Sequence, residues 1–219
     1  MDKYLRIRDI FELKANSENA DSMAKYMRNL FPFYGIPTHE RKAVYKDFIQ
    51  EEIRKKMIDW EFLDQCYQDE HREFQYLAYD YLIAMSRILT YDDIPKIEKY
   101  IKEKQWWDTI DFLSKVIGDI GSRDSRVNDL MIEWSLDDDF WVRRIAIIHQ
   151  LCRKENTNTD LLETILESNF GSNEFFVNKA IGWALRDYSK TNPIWVKDFI
   201  NKYKDKMDSI SVKEASKYI

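Results

Sequence analysis

The sequence predicts an all-α fold, a curved α-solenoid of stacked helix pairs, read as one domain over residues 1–219. Three observations predict it. Helical periodicity recurs along the chain with no convincing strand between its segments. Only 5 Gly and 4 Pro occur in 219 residues, too few punctuators for the turns of a sandwich or barrel. Aromatic-rich helices also open at a near-constant interval. With Phe74, Trp107, Trp141 and Phe176 taken as equivalent anchors, the gaps are 33, 34 and 35 residues. A helix pair repeated at this length signals a solenoid, because one pair cannot bury its apolar face alone and stacks on its neighbours.

Each element follows from local pattern. Tyr4 to Leu13 carries Leu5, Ile7, Ile10, Phe11 and Leu13 at the spacing of a short amphipathic helix. Ser22 to Phe33 continues helically, with Met23, Met27 and Leu30 on one face and Tyr26 beside them. Pro32, Gly35 and Pro37 break that segment, and Thr38 is placed to cap a helix from about His39 to Ile53. Anchor helices then begin near Arg72, Trp106, Phe140 and Glu174. Val212 and Ala215 fall a further 35 residues beyond Val177 and Ala180. More polar helices lie between anchors, at Asp93 to Lys102, Val127 to Trp134 and Leu161 to Leu166. Gly121 to Arg126 and Asn156 to Asp160 are the loops. The second helix of each pair is expected to line the concave side.

Composition removes several function classes. A net charge of −5, from 34 Lys+Arg against 39 Asp+Glu, has the wrong overall sign for a nucleic-acid binder. A basic stripe on one face can still coexist with an acidic back. Cys66 and Cys152 are isolated and read as free thiols in a reducing compartment. The charged start and the lack of a membrane-length apolar run predict a cytoplasmic protein without membrane association. His39, His71 and His149 are far apart and show no metal-ligand spacing. No glycine-rich phosphate loop, nucleophile elbow or Cys–His arrangement occurs. Metal hydrolysis, nucleotide binding and acyl transfer lack their parts, and neither metal nor cofactor is expected.

The densest chemistry lies in Glu103 to Ile120, EKQWWDTIDFLSKVIGDI. Trp107 and Asp111 stand four apart on one helical face, and Phe112, Leu113, Val116 and Ile117 would anchor that helix in a core. A carboxylate pinned between an indole and an apolar layer, read as having no lysine or arginine at helical spacing, is costly to leave idle, so one reading has Asp111 waiting for a positive charge brought by substrate. The other has Trp107 in the core and Asp111 on a solvated face, where charged residues usually lie. On later anchor helices Lys179, Trp183, Arg186 and Lys190 form one stripe. Trp141, Arg144 and Ile148 share a face with Arg143 adjacent, and Lys213 and Lys217 are four apart. Arg41 and Lys42 open the first long helix. Together these make a groove with cations along it, tryptophans in the middle and one acid at the centre, suited to a phosphate backbone and flat rings. Taken singly, each lysine reads equally as a solvated residue and each tryptophan as core.

With these residues in place, the chain resembles the AlkD-like bacterial DNA alkylation repair glycosylases, which are built from HEAT-like helical repeats. The resemblance runs from about Ala20 to Ile219, and its most specific blocks are WWDTID and AIGWALRDYSK. It implies a concave face that binds double-stranded DNA carrying alkylated bases. It also implies hydrolysis of the N-glycosidic bond of cationic N3- and N7-alkylated purines by a monomer without metal or cofactor. The implied site is Trp107, Asp111, Arg144 and Trp183, with Tyr26 lining the same cleft. An ionised Asp111 would stabilise the oxocarbenium-like sugar and orient water, the two indoles would pack on the deoxyribose, and Arg144 would hold a phosphate. No lysine is matched to this site, so the enzyme is expected to be monofunctional, without lyase activity. The alternative class is a non-catalytic helical-repeat module that binds nucleic acid or protein, which the net acidity favours. The catalytic reading requires an Asp111 that is neither turned to solvent nor locked to a permanent basic neighbour.

Overall fold

The computed structural model describes residues 2–219. These form thirteen α-helices and three short 3-10 turns, with no β-strand among the described residues. They fall into two compact units, one ending at Leu89 and the other running from Thr90 to Ile219.

The first unit holds α1 (Lys3–Leu13), α2 (Ser17–Tyr26), α3 (Thr38–Lys55), α4 (Trp60–Gln68) and α5 (Arg72–Ala84). Its core is aromatic: the Phe11 ring lies 5.7 Å from Tyr34, 6.4 Å from Tyr45 and 5.1 Å from Phe74. Helix α2 starts earlier and stops sooner than its periodicity predicts. Arg28 and Asn29 both take φ +57°, in the left-handed region that ends a helix, and Leu30 is left exposed. The loop that follows folds onto Glu73, whose buried carboxylate accepts the N–H groups of Tyr34, Gly35 and Ile36 at 3.1, 2.9 and 3.2 Å. Thr38 is not a cap. It is the first helical residue behind Pro37, which sits at the cap position without a side-chain bond. Helix α4 adds to the elements expected from sequence. Asp59 caps it by accepting from the Phe62 N–H, and Phe62, Leu63, Cys66 and Tyr67 form its buried stripe.

The second unit is a run of helix pairs. These are α6 (Ile94–Lys102) with α7 (Trp107–Gly121), α8 (Arg126–Trp134) with α9 (Phe140–Ile148), α10 (Thr159–Glu167) with α11 (Phe175–Ser189), and α12 (Pro193–Tyr203) with α13 (Ser209–Ala215). The second helices pack in succession, α7 on α9, α9 on α11 and α11 on α13, as a helical repeat requires. Asp139, Asn158, Asn192 and Asp208 cap α9, α10, α12 and α13. The aromatic layer of this unit differs from the expected one at two anchors. Phe74 belongs to the first unit, where it packs on Tyr4, Phe11 and Tyr34. Trp106, not Trp107, packs against Trp141 at 5.7 Å and Phe176 at 5.2 Å. From Trp106 to Trp141 to Phe176 the interval is a constant 35 residues, and Trp107 is released for another role. Two glycines allow close approach. A Cβ on Gly118 of α7 would lie 2.2 Å from the His149 carbonyl oxygen, and one on Gly182 of α11 would lie 2.5 Å from the Glu214 Cβ.

Candidate active site

Trp107 stands in the first turn of α7, Asp111 one turn on, and Trp183 in the middle of α11. Because α9 lies between α7 and α11, the chain after Ile148 closes the space between them. The three side chains line one cavity of about 530 Å³, shared with Phe112, Lys115 and Cys152. Its size suits an organic ligand rather than water alone. Phe112, expected in the core, is instead 41% exposed at this cavity.

Asp111 is not waiting for a charge. Arg144 of α9 donates from Nε to Oδ1 at 2.8 Å and from Nη2 to Oδ2 at 2.9 Å, a fork that grips both carboxylate oxygens. The third guanidinium nitrogen donates to the Phe176 carbonyl at 2.7 Å. The guanidinium carbon also lies 5.8 Å from both the Phe176 and the Trp183 ring centroids. With its side chain 5% exposed, Arg144 is built into the wall and is not presented to a phosphate. Burial pushes the Asp111 carboxyl above its ordinary value, Arg144 pulls it down, and the neighbouring charge of Asp108 pushes it up. Asp111 keeps 17% of its side chain exposed, so an edge of it remains open to the cavity. One requirement on Asp111 is therefore met and the other is not: it is turned inward, yet locked to a basic partner.

The other predicted cations are mostly spent inside the protein. In the first unit Arg41 is 2% exposed, donates from Nε to the Tyr45 hydroxyl at 3.1 Å and lies 4.5 Å from the Tyr76 ring centroid. It is therefore a buried structural cation and not the exposed one expected from sequence. Lys42 is exposed but pairs with Asp80 at 3.0 Å. Tyr26, on the last turn of α2, is 72% exposed. In the second unit Lys179 and Arg186 both bond the buried Glu214 of α13, as does Lys217 at 2.9 Å. The stripe on α11 is thus a clamp on α13, which its net cationic spacing on one helix could not reveal. These three partners hold the Glu214 carboxyl down to about 2. Lys190 is exposed, 3.8 Å from Asp187, and Lys213 is exposed on α13. Arg143 is half-buried, its Nε has no hydrogen-bond partner among the described residues, and it faces the separate loop 168–174.

Sequence reasoning missed two features of the cavity. Lys115 follows Asp111 by four residues, so the argument that paired Trp107 with Asp111 would have found it. His149 gave no signal. It is buried, its ring bonds the Ala146 carbonyl at 2.7 Å, and burial together with Arg153 pushes it down to about 3, so it is neutral near pH 7. Cys152 is exposed with φ +65°, held by its N–H bond to Asp187 at 2.7 Å, whereas Cys66 is buried. Among the described residues no group of three His, Cys, Asp or Glu side chains could hold a metal, and no helix is long and apolar enough to cross a membrane.

The sequence profile of the family described as DNA alkylation repair enzyme matches residues 7–219. The chain is 33% identical to a solved structure described as a predicted DNA alkylation repair enzyme from Enterococcus faecalis. That match covers 94% of this chain and 96% of that one, with a TM-score of 0.86. It shares its fold with AlkD2 from Streptococcus mutans, at 18% identity and a TM-score of 0.60, covering 82% and 97% of the two chains. It also shares it with smu.31 from Streptococcus mutans UA159, at 20% identity and a TM-score of 0.58 over the same shares. Comparison with curated proteins yields no match.

Proposed function

The chain belongs to the DNA alkylation repair enzyme family, and we propose that within it the protein is a monofunctional glycosylase. It would hydrolyse the N-glycosidic bond of cationic N3- and N7-alkylated purines in duplex DNA. The observation that supports this most is the convergence of Trp107, Asp111 and Trp183 on one cavity from two different helices. Alkylation at N3 or N7 makes the base a cation and a good leaving group, and the sugar it leaves gains oxocarbenium character. Trp107 and Trp183 would hold the deoxyribose between their rings, with cation–π attraction to the charged nucleotide. Asp111 would accept a hydrogen bond from water and aim it at the anomeric carbon. A carboxylate has about four lone-pair sites and Arg144 takes one on each oxygen, so the exposed edge can still accept.

In this reading the requirement that Asp111 be free of a basic partner is given up, and Arg144 changes role. It is a positioning residue that keeps a buried acid ionised and fixed, not a phosphate clamp. Its charge also offsets that of Asp111, so the sugar cation meets a dipole, and water orientation carries more of the mechanism than charge stabilisation.

The same ion pair favours a second reading, a helical-repeat module that binds without cleaving. Release of 7-methylguanine from methylated duplex DNA separates the two. The wild-type chain should release base, and Asp111→Asn should lose on the order of 100-fold or more in rate. Equal release by both would remove Asp111 from the chemistry. No release by a wild-type chain that binds the duplex would leave the module.

A further inference from the structure

We infer that Lys115 is the phosphate ligand of this cavity, the cation that holds the nucleic-acid backbone beside a sugar seated at Asp111. The inference deepens the glycosylase reading and rests on it for the position of the sugar.

Lys115 is exposed on the face of α7 that carries Asp111 and lines the same cavity. Acids stand four residues to either side of it, Asp111 and Asp119. That is the spacing at which helical ion pairs normally form. Neither pair forms here. Arg144 occupies both oxygens of Asp111 at 2.8 and 2.9 Å. Asp119 acts on the partly buried Arg153, whose guanidinium donates to the Gly118 carbonyl at 2.8 Å. Among the described residues the ammonium of Lys115 is left without an ionic partner, beside a cavity walled by Trp107, Phe112 and Trp183. Most of the other cations expected to meet DNA are engaged: Arg41 and Lys42 with Asp80, Arg144 with Asp111, and Lys179 and Arg186 with Glu214.

Geometry points the same way. Cβ atoms four apart on a helix are about 5–6 Å from each other. Phosphates recur about every 3.4 Å of axis along one strand. A sugar held against Asp111 therefore brings a flanking phosphate within reach of the flexible lysine stem. A compact ammonium suits that role because it needs no fixed bidentate geometry.

The test uses the full chain, its Lys115→Gln and Lys115→Arg variants, and methylated duplex DNA. Affinity is measured across a salt series, and KM and kcat are measured for base release. Lys115→Gln should flatten the slope of log affinity against log salt by about one phosphate contact, roughly 0.9 units. It should raise KM several-fold more than it lowers kcat, and Lys115→Arg should restore the wild-type slope. An unchanged slope in Lys115→Gln overturns the inference, as does a wild-type chain that binds no duplex at low salt. A wild-type chain that releases no base, yet binds DNA with a slope that depends on Lys115, would instead sink the glycosylase reading and leave this assignment standing.

Discussion

At the scale of single residues, the Asp111–Arg144 pair decides what the cavity can do. In the glycosylase reading Asp111 must be ionised, and burial outweighs the bonds from Arg144 to raise its carboxyl above its ordinary value. The acid limb of the pH–rate profile should therefore lie above that of an exposed aspartate. Replacing Arg144 with Gln removes the contribution that lowers the Asp111 pKa and should move that limb further upward, with Arg144→Lys in between. The salt slope of duplex binding should stay put in both, since Arg144 is buried and bonded to Asp111 and the Phe176 carbonyl. Measuring kcat/KM against pH for the three proteins checks this, and an unmoved limb would show that Arg144 does not control the acid. The sequence put Trp107 and Asp111 on one face correctly, because they share a helix. It could not reveal the pair with Arg144, whose partner stands on a different helix 33 residues away. The role of Trp107 was also blurred, since two adjacent indoles look alike until one of them is seen to join the aromatic layer.

At the scale of elements, α11 and α13 are joined by a steric fit and an electrostatic clamp at the same place. Gly182 leaves room for Glu214, which gathers Lys179 and Arg186. Gly182→Ala would force its new methyl against the Glu214 Cβ at 2.5 Å and the Ser211 carbonyl at 2.8 Å. It should cost about 1–3 kcal/mol in urea unfolding, as overpacking does. A midpoint equal to wild type would mean that α13 yields freely. Most helix starts in the second unit were legible because aromatic and apolar residues open them at helical spacing, as at Phe140 and Phe175. The end of α2 was not. Arg and Asn in left-handed conformation leave no mark in hydrophobic spacing, and α2 shows that period alone overextends a helix.

At the scale of the whole molecule, the net charge of −5 does not reveal which cations stay exposed, because several of those expected on one face are bonded to acids of their own unit. Two buried groups of the second unit are expected to make its stability fall with acid. His149 stays neutral in the folded chain down to about pH 3, whereas an unfolded chain protonates it near its ordinary 6.5. Its contribution is fully present above 6.5 and is lost as pH falls toward 3. Glu214 behaves alike in a lower window, present above its ordinary 4.5 and lost toward about 2. Urea midpoints should therefore drop between pH 7 and 5 in the wild type, and His149→Gln should flatten that drop. An identical pH dependence in the variant would acquit His149. The existence of a helical repeat could be read from periodicity and aromatic spacing, because neighbour-on-neighbour packing writes a period into the chain. Its constant interval emerges only once Trp106 replaces Trp107 as the anchor. The fate of the basic residues could not be read in this way, since their partners come from other helices. Finally, of the two thiols only Cys152 reaches solvent, and it does so at the mouth of the cavity, while Cys66 is buried with its pKa pushed well above the thiol range. The native chain therefore offers a single attachment point for a maleimide dye, whose emission would report occupancy of the cleft with no engineered cysteine.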